Sequence, residues 1–262
     1  MCAQSSGQSE SESTIDQAAR LLHAAQYVVA FTGAGISTPS GIPDFRSVNS
    51  GLWENVDPMA VASIFGFRAN PKAFFDWVYP LAQVTLQAEP NPAHVALVQL
   101  ERAGKLKGVV TQNVDMLHQR AGIQTLYELH GHFDEATCTH CFATYAGRPL
   151  LERFLADHQV PHCPQCRGVL KPNVILFGEQ LPVQVLRAAQ EMARNADLML
   201  IIGSSLEVAP ASDIPLLAKR RGAKLIMINR EPTSVDREAS VIIHGDAALV
   251  LPEIVRCLEA LS

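Results

Sequence analysis

The sequence has no run long and apolar enough to cross a bilayer, which takes about 18 consecutive apolar residues. It has no basic excess either. Lys and Arg number 21 against 26 Asp and Glu, the formal net charge is -5 and the pI lies near 6.0. Neither a membrane nor a direct nucleic-acid partner is therefore expected. Met1 to Thr14 lacks a basic start and an apolar h-region and is rich in Ser, Gln and Glu. It does not read as a secretory signal, and residues 1–13 are expected to form a disordered tail. No glycine turn is followed by Gly-Lys-Ser/Thr, which excludes a P-loop. Charged residues are sparse at 18% and hydrophobic residues reach 48%, enough for one large core and a smaller satellite.

Cysteine is scarce but patterned. Four of the six form two Cys-x2-Cys pairs, Cys138/Cys141 and Cys163/Cys166, with 21 residues between the pairs; Cys2 and Cys257 stand apart. In a chain of this size such pairs read as a metal site before disulfides, and a cytoplasmic location is expected. Four thiolates suit a tetrahedral Zn2+ and close its coordination sphere, so the zinc is expected to be structural. Its binding would supply folding energy that a small insert cannot draw from a core.

The chain is organised around residues 28–46. Val28 to Phe31 reads as a buried strand, broken at once by Thr32-Gly-Ala-Gly35. Two glycines let the backbone turn sharply and present N–H groups to a phosphate. Before it, the pattern Thr14-Ile-Asp-Gln17 fits a capping box and predicts a helix from Thr14 to about Ala25. After it, residues 47–90 carry Trp53, Phe65, Phe67, Phe74, Phe75, Trp77 and Tyr79 at irregular helical spacing. They read as a helical module packing on itself, with a second reading in which some aromatics wall a channel for an apolar substrate. Asn91-Pro92 starts a helix that Gly104 ends, and His23 and His94 read as structural.

Polar groups collect beyond strand ends, where ligands bind in open α/β sheets. The predicted strand Gly108–Thr111 leads into Gln112-Asn-Val-Asp115, and Leu126–Leu129 leads into His130-Gly131, a candidate general base. Strands over 197–202, 224–229 and 241–244 end in Gly203-Ser204-Ser205, Asn229 and Gly245-Asp246, with a helix near 182–194 before them and one near 211–221 between the first two. The expected fold is α/β, a doubly wound parallel Rossmann-like sheet interrupted by a small domain. Residues 14–46, 91–131 and 171–262 would form the sheet domain. Residues 47–90 and 132–170 would form the helical and zinc-binding modules of the small domain. The run Lys171–Glu179 reads as extended, either a connecting strand or an edge that pairs with a peptide.

Gly33-x-Gly35-x-x-Thr38 alone is a weak dinucleotide fingerprint, since Thr38 stands where a third glycine belongs. The ordered set is more specific: Gly33-Ala-Gly-Ile-Ser37, Gly41-Ile-Pro-Asp-Phe-Arg46, Thr111-Gln-Asn-Val-Asp115, Leu117-His-Gln-Arg-Ala-Gly122, Glu128-Leu-His-Gly131, the two Cys pairs, Val174 to Glu179, Gly203-Ser-Ser205 and Asn229-Arg-Glu231. In this set the chain resembles the sirtuins, NAD-dependent protein-lysine deacylases. The resemblance covers about residues 14–260. It implies that Gly33, Ala34, Gly35, Thr38, Asp44 and Arg46 hold NAD, with Phe45 over the reacting sugar. Gln112, Asn113, Val114 and Asp115 would position the nicotinamide ribose and carboxamide. Asn113, Asp115 and His130 would carry the chemistry, His130 as general base. Gly203, Ser204, Ser205, Asn229 and Ala247 would surround the adenosine half. Ile175, Phe177, Gly178 and Glu179 would pair with the substrate backbone and line an acyl-lysine tunnel, and Cys138, Cys141, Cys163 and Cys166 would bind zinc.

The resemblance further implies that NAD is cleaved to nicotinamide as the acyl oxygen attacks the ribose C1′, and that lysine and O-acyl-ADP-ribose are released. Members specialised for acidic acyl groups carry a Tyr with an Arg three residues later. Here the nearest candidate, Tyr79, is followed by no such Arg, so an apolar acyl group such as acetyl is expected. The competing readings are mono-ADP-ribosyl transfer, a zinc-ribbon scaffold with a vestigial nucleotide site, and a dehydrogenase. The last gives no reason for Asn113, Asp115 and His130 to surround a nicotinamide ribose.

Overall fold

The computed structural model describes residues 13–44 and 56–261. Three residues named above, Phe45, Arg46 and Trp53, lie outside the described residues, as does nearly all of the expected N-terminal tail. The strands are β1 (Val28–Thr32), β2 (Leu106–Thr111), β3 (Leu126–Glu128), β4 (Gly131–Cys138), β5 (Thr144–Ala146), β6 (Leu170–Val174), β7 (Leu198–Ile202), β8 (Lys224–Asn229) and β9 (Val241–His244). The helices are α1 (Thr14–Ala24), α2 (Pro58–Val61), α3 (Ile64–Ala69), α4 (Pro71–Gln87), α5 (Pro92–Arg102), α6 (Leu117–Ala121), α7 (Gly147–Asp157), α8 (Val183–Asn195), α9 (Asp213–Arg220) and α10 (Ala247–Glu259).

Six strands form one parallel sheet in the order β3-β2-β1-β7-β8-β9. This is the order of a Rossmann sheet, with its switch point between β1 and β7. All five residues of β1 are buried, as are all five of β7. A strand covered on both faces reads as a continuous apolar run, which is why neither alternates. Val28 and Ala30 face a layer of α1, α5 and α10, whereas Val29 and Phe31 face α8 and α9. Each fully buried Val or Phe here contributes about 1.5–3 kcal/mol.

Local signals set most helix ends. Asn91 caps α5 with Pro92 at its first position, and His94 answers with its side chain, completing a capping box. The cap of α1 differs from the expectation. It is Ser13, not Thr14: Ser13 is extended and its Oγ accepts from Asp16 N–H at 3.1 Å, while Thr14 is already helical.

A second sheet, β5-β4-β6, is antiparallel and carries the Cys pairs. The helices of residues 58–87 pack beside it rather than on the large sheet. Phe67, Phe74 and Phe75 meet edge to face, and Phe75 meets Phe154 of α7 at 5.1 Å. Phe133 and Val174 of the small sheet close the same cluster. So the two segments that interrupt the parallel sheet share one core.

The run from Lys171 to Glu179 is extended only in part. β6 ends at Val174. Phe177 then pairs with the α2–α3 turn, donating to Ala62 O and accepting from Ile64 N–H, each at 2.9 Å. Its backbone is held by the helical module.

Candidate active site

The carboxyl ends of β1 and β7 meet at the switch point. Gly33 N–H donates to Ile202 O at 3.0 Å, and Gly35 N–H donates to Gly203 O at 2.8 Å. The two turns touch mainly through backbone. A Cβ on Gly33 would lie 2.7 Å from Gly203 O, and one on Gly35 2.7 Å from Gly203 Cα. Gly203 itself has φ +62, a conformation that costs other residues about 1–2 kcal/mol. Thr38, in the third-glycine position, turns its hydroxyl back onto Gly35 O at 3.1 Å and so fixes the turn. Gln112 ties β2 to β7 across β1, its amide donating to Ser204 Oγ at 2.8 Å.

Beside this crossing lies a buried polar set. Asn113 donates from Nδ2 to Gly33 O at 3.1 Å and to Ser37 Oγ at 3.2 Å. Ser37 donates to Asp115 Oδ2 at 2.6 Å, and Asp115 Oδ1 accepts from Leu117 N–H at 2.9 Å. Burial pushes the Asp115 carboxyl above its ordinary range, and the hydrogen bonds from Ser37, the Leu117 amide and Asn113 oppose that rise. Three side chains are thereby locked to one another and to the glycine turn.

His130 sits on the crossing from the large sheet to the small one. Its Nδ1 lies 3.0 Å from Gln112 O. A carbonyl oxygen only accepts, so the proton is on Nδ1 and Nε2 is the free base. Burial lowers its pKa below the usual histidine value, with the Gln112 hydrogen bond opposing. The ring is therefore neutral near pH 7. The next residue must be glycine: Gly131 has φ +73, and a Cβ there would overlap the Asn173 carbonyl. His130 O accepts from Ile175 N–H at 2.8 Å, so the base and the 175–179 segment move as one.

All of this opens on a cavity of about 1190 Å³. Gly33, Ala34, Gly35, Thr38, Asp44, Gln112, Asn113, Val114, His130, Gly203, Ser204, Ser205, Asn229 and Ala247 line it, as do Ile175, Phe177, Gly178 and Glu179. Asp115 does not line it and stands behind Asn113. Reading the sequence missed several groups in and behind the cavity wall. Ser37 had no role assigned, although a hydroxyl two residues after the second glycine was a usable signal. Glu207 and Arg230, which line the cavity, had none, although Arg230 lies within the Asn229-Arg-Glu231 motif. One arm of the cavity is apolar, walled by Phe74, Trp77, Val78, Leu81, Phe133 and Val174. Different aromatics of this stretch do different things: Phe75 packs on Phe154 of α7, while Phe74 and Trp77 also line the cavity. Tyr79 faces away from it, its hydroxyl on Leu155 O at 3.3 Å and its ring stacked on His158 at 4.1 Å. On the same helix, Val78 and Leu81 line the cavity instead.

The Sir2 family pattern matches residues 33–210. An NAD-dependent protein deacylase 2 from Archaeoglobus fulgidus is 47% identical over 251 residues, covering 95% of this chain and 98% of the relative. A solved structure concerning the mechanism and regulation of Sir2 enzymes superposes with a TM-score of 0.90 at 46% identity, covering 95% of this chain and 99% of the other. Sir2Af2 bound to a myristoylated histone peptide superposes at 0.82 and 41% identity, with 95% and 97% covered. The chain belongs to the Sir2 family.

The second feature of this Sir2 chain is its cluster of four cysteines. The four Sγ atoms lie within 4.8 Å of one another, with Cys138–Cys166 at 3.4 Å and Cys141–Cys163 at 3.6 Å. A tetrahedron with ~2.3 Å Zn–S arms has edges of ~3.8 Å, so the set fits a zinc ion with no open position. The amides of His140 and Cys141 point at Cys138 Sγ, and Tyr145 Oη lies 3.1 Å from Cys163 Sγ. Such outer contacts orient thiolate ligands. None of the four lines the 1190 Å³ cavity, which fits a structural metal. No helix among the described residues is long and apolar enough to cross a membrane.

Proposed function

We propose that this protein removes apolar acyl groups from lysine side chains of proteins, with NAD as the acyl acceptor. NAD-dependent protein deacylation is the activity of the family's matched members, and this chain is an NAD-dependent protein deacylase. One observation carries the finer reading. The free Nε2 of His130 stands where the glycine cradle meets the apolar arm, so one base serves a dinucleotide on one side and an acyl chain on the other.

NAD supplies an ADP-ribosyl group whose C1′ takes the acyl oxygen as nicotinamide leaves. The chain's residues do the rest. The turns at 33–35 and 203–205 hold the pyrophosphate and adenosine, with Thr38, Asp44, Asn229 and Ala247 around them; the family resemblance assigns Arg46 to the pyrophosphate and nearby ribose and Phe45 to the reacting sugar. Asn113, fixed by Gly33 O and Ser37, orients the nicotinamide ribose with Gln112, Val114 and Asp115. His130 takes a proton from a ribose hydroxyl. Ile175, Gly178 and Glu179 offer backbone to the substrate peptide beside Phe177. Residues 14–46, 91–131 and 171–262 act as the NAD domain. Residues 47–90 and 132–170 form the acyl and zinc modules, with residues 1–13 a tail. Cysteines kept as zinc thiolates support a cytoplasmic location.

The acyl class follows from the wall. Val78 and Leu81 are apolar, and the one cation among the described lining residues, Arg230, is bound to Asp246 at 2.6 Å. A succinyl carboxylate would be buried without a partner, at a cost of several kcal/mol. Acetyl and longer apolar chains fit; Sir2Af2, with its myristoylated peptide, is a relative of that kind. The test offers acetyl-, myristoyl- and succinyl-lysine peptides with and without NAD and follows nicotinamide. The expected result is NAD-dependent release for the first two, with succinyl at least ~100-fold slower in kcat/KM. Release without NAD, or label from NAD left on protein, would refute it. His130→Ala should bind NAD and lose deacylation, a loss of ~10²–10⁴-fold; retention of most activity would reject the base.

A further inference from the structure

Beneath the Gln112–Asn113 turn the core turns polar. Thr32 at the end of β1, Thr111 at the end of β2, His94 of α5 and His118 of α6 are each at most 2% exposed. Thr32 Oγ1 donates to Thr111 Oγ1 at 2.8 Å. With its proton spent there, Thr32 accepts from His118 Nε2–H at 2.9 Å. Thr111 Oγ1 also accepts the Asn113 N–H at 3.0 Å. The main chains follow the same path. Thr32 O accepts from Gln112 N–H at 3.0 Å, and Gln112 O accepts from His130 Nδ1–H at 3.0 Å. One connected set therefore runs from His118 to both Asn113 and His130.

This set is costly for stability. His94 packs edge-on against His118 at 4.9 Å, and its Nδ1 accepts from Asn91 N–H at 3.4 Å. His94 Nε2 and His118 Nδ1 have no protein partner among the described residues. A core selected for stability alone would place apolar side chains of like volume here. The location gives the reason for keeping polar ones: the Thr111 hydroxyl holds the turn that carries the site, and Thr32 and His118 hold that hydroxyl.

We infer that His118, Thr32 and Thr111 are positioning residues for deacylation, forming a buried relay that fixes the Gln112–Asn113 turn and through it the ring of His130. The inference rests on the roles proposed above for Asn113 and His130. Neither His118 nor either threonine lines the cavity, so their effect passes through those residues alone.

Thr111→Val keeps the shape and removes the hydroxyl. With acetyl-peptide and NAD saturating, kcat per folded enzyme is expected to fall ~10- to 100-fold, the penalty of a misplacement near 1 Å. Peptide KM should stay within about twofold, because uniform binding is untouched. Thr111→Ser should recover most of kcat, and His118→Leu should reproduce the loss. A merely structural role would lower the melting temperature and leave kcat per folded enzyme alone. Nitrogen-15 spectra of labelled histidine add a direct readout: the His130 proton sits on Nδ1 in the wild type and spreads over both nitrogens in Thr111→Val. The relay is overturned if both variants keep kcat within about twofold of wild type. If neither variant folds, the wild-type spectrum decides, since the relay requires His118 as a neutral ring with its proton on Nε2, and a proton on Nδ1 refutes it. Wild-type protein inactive on acyl-lysine would refute the proposed function, whereas active wild type with indifferent variants refutes only the relay.

Discussion

Gly35→Ala probes the switch-point crossing most cleanly. Gly35 is not in a left-handed conformation, so alanine costs nothing locally. All of the cost lies in contact. The new Cβ would sit 2.7 Å from Gly203 Cα and 2.9 Å from Gly203 O, where ordinary contact begins at 3.4 Å. The turns must separate by the difference, 3.4 − 2.7 = 0.7 Å. Both atoms it meets are backbone, and neither can rotate away. The Gly35 N–H to Gly203 O bond at 2.8 Å would stretch with them. Overpacking of this kind costs ~1–3 kcal/mol, and weakening one hydrogen bond adds ~1 kcal/mol. The same displacement moves the amides that face the cavity, so NAD affinity should fall at least ~10-fold. Gly104→Ala is the control: φ is +72 with nothing within 4 Å of a Cβ, and the residue does not line the cavity. It should lose ~1 kcal/mol and keep its NAD affinity. Denaturant titration and calorimetric NAD binding measure both quantities. Wild-type stability and affinity in Gly35→Ala would refute the crossing as the determinant.

Other outcomes follow from the same geometry. Cys163→Ser should lose zinc, measured by metal analysis, and lower the melting temperature of the protein; unchanged metal content and stability would reject the four-cysteine site. Lys171 and Glu179 form a largely buried pair at 3.0 Å, and Lys171 also donates to Val174 O at 2.8 Å. Lys171→Met should cost ~2 kcal/mol and raise peptide KM while NAD affinity holds. His94 is neutral in the fold, with burial lowering its pKa to about 4. As pH falls below 6.5 the unfolded chain gains a proton that the fold refuses until about 4, so stability falls across that window by ~3 kcal/mol. His94→Gln should flatten the stability-against-pH curve there, and an unchanged slope would reject the burial effect. Glu128 has the opposite sign: burial raises its pKa to about 7, so its share of stability is present at low pH and is lost as pH rises toward that value.

Local chemistry explains what was legible in the sequence. The buried strands β1, β7 and β8 are unbroken apolar runs, and Asn91-Pro92 caps its helix through atoms adjacent in the chain. The Cys-x2-Cys spacing states a ligand set regardless of what surrounds it. His130 stood out as a candidate beside Gly131 at a strand end, and the ordered motif set around it carried its assignment. The polar residues after each parallel strand could be assigned to one edge, since a parallel sheet sends all its carboxyl ends the same way.

Tertiary structure decided the rest, because the deciding partners are far apart in the chain. That Gly35 touches Gly203, that Ser37 joins Asn113 to Asp115, and that His118 reaches Thr32 across 86 residues are facts of packing. Tyr79 and Val78 are adjacent in sequence and face opposite ways, because α4 gives one side to α7 and the other to the cavity. Phe177 looked free to pair with a peptide until the α2–α3 turn took its backbone. The sequence by itself determined the sheet and the zinc ligands and singled out His130. Only the fold determined which groups surround His130 and which residues line the cavity with it, since both depend on a crossing of two turns 170 residues apart (33 to 203).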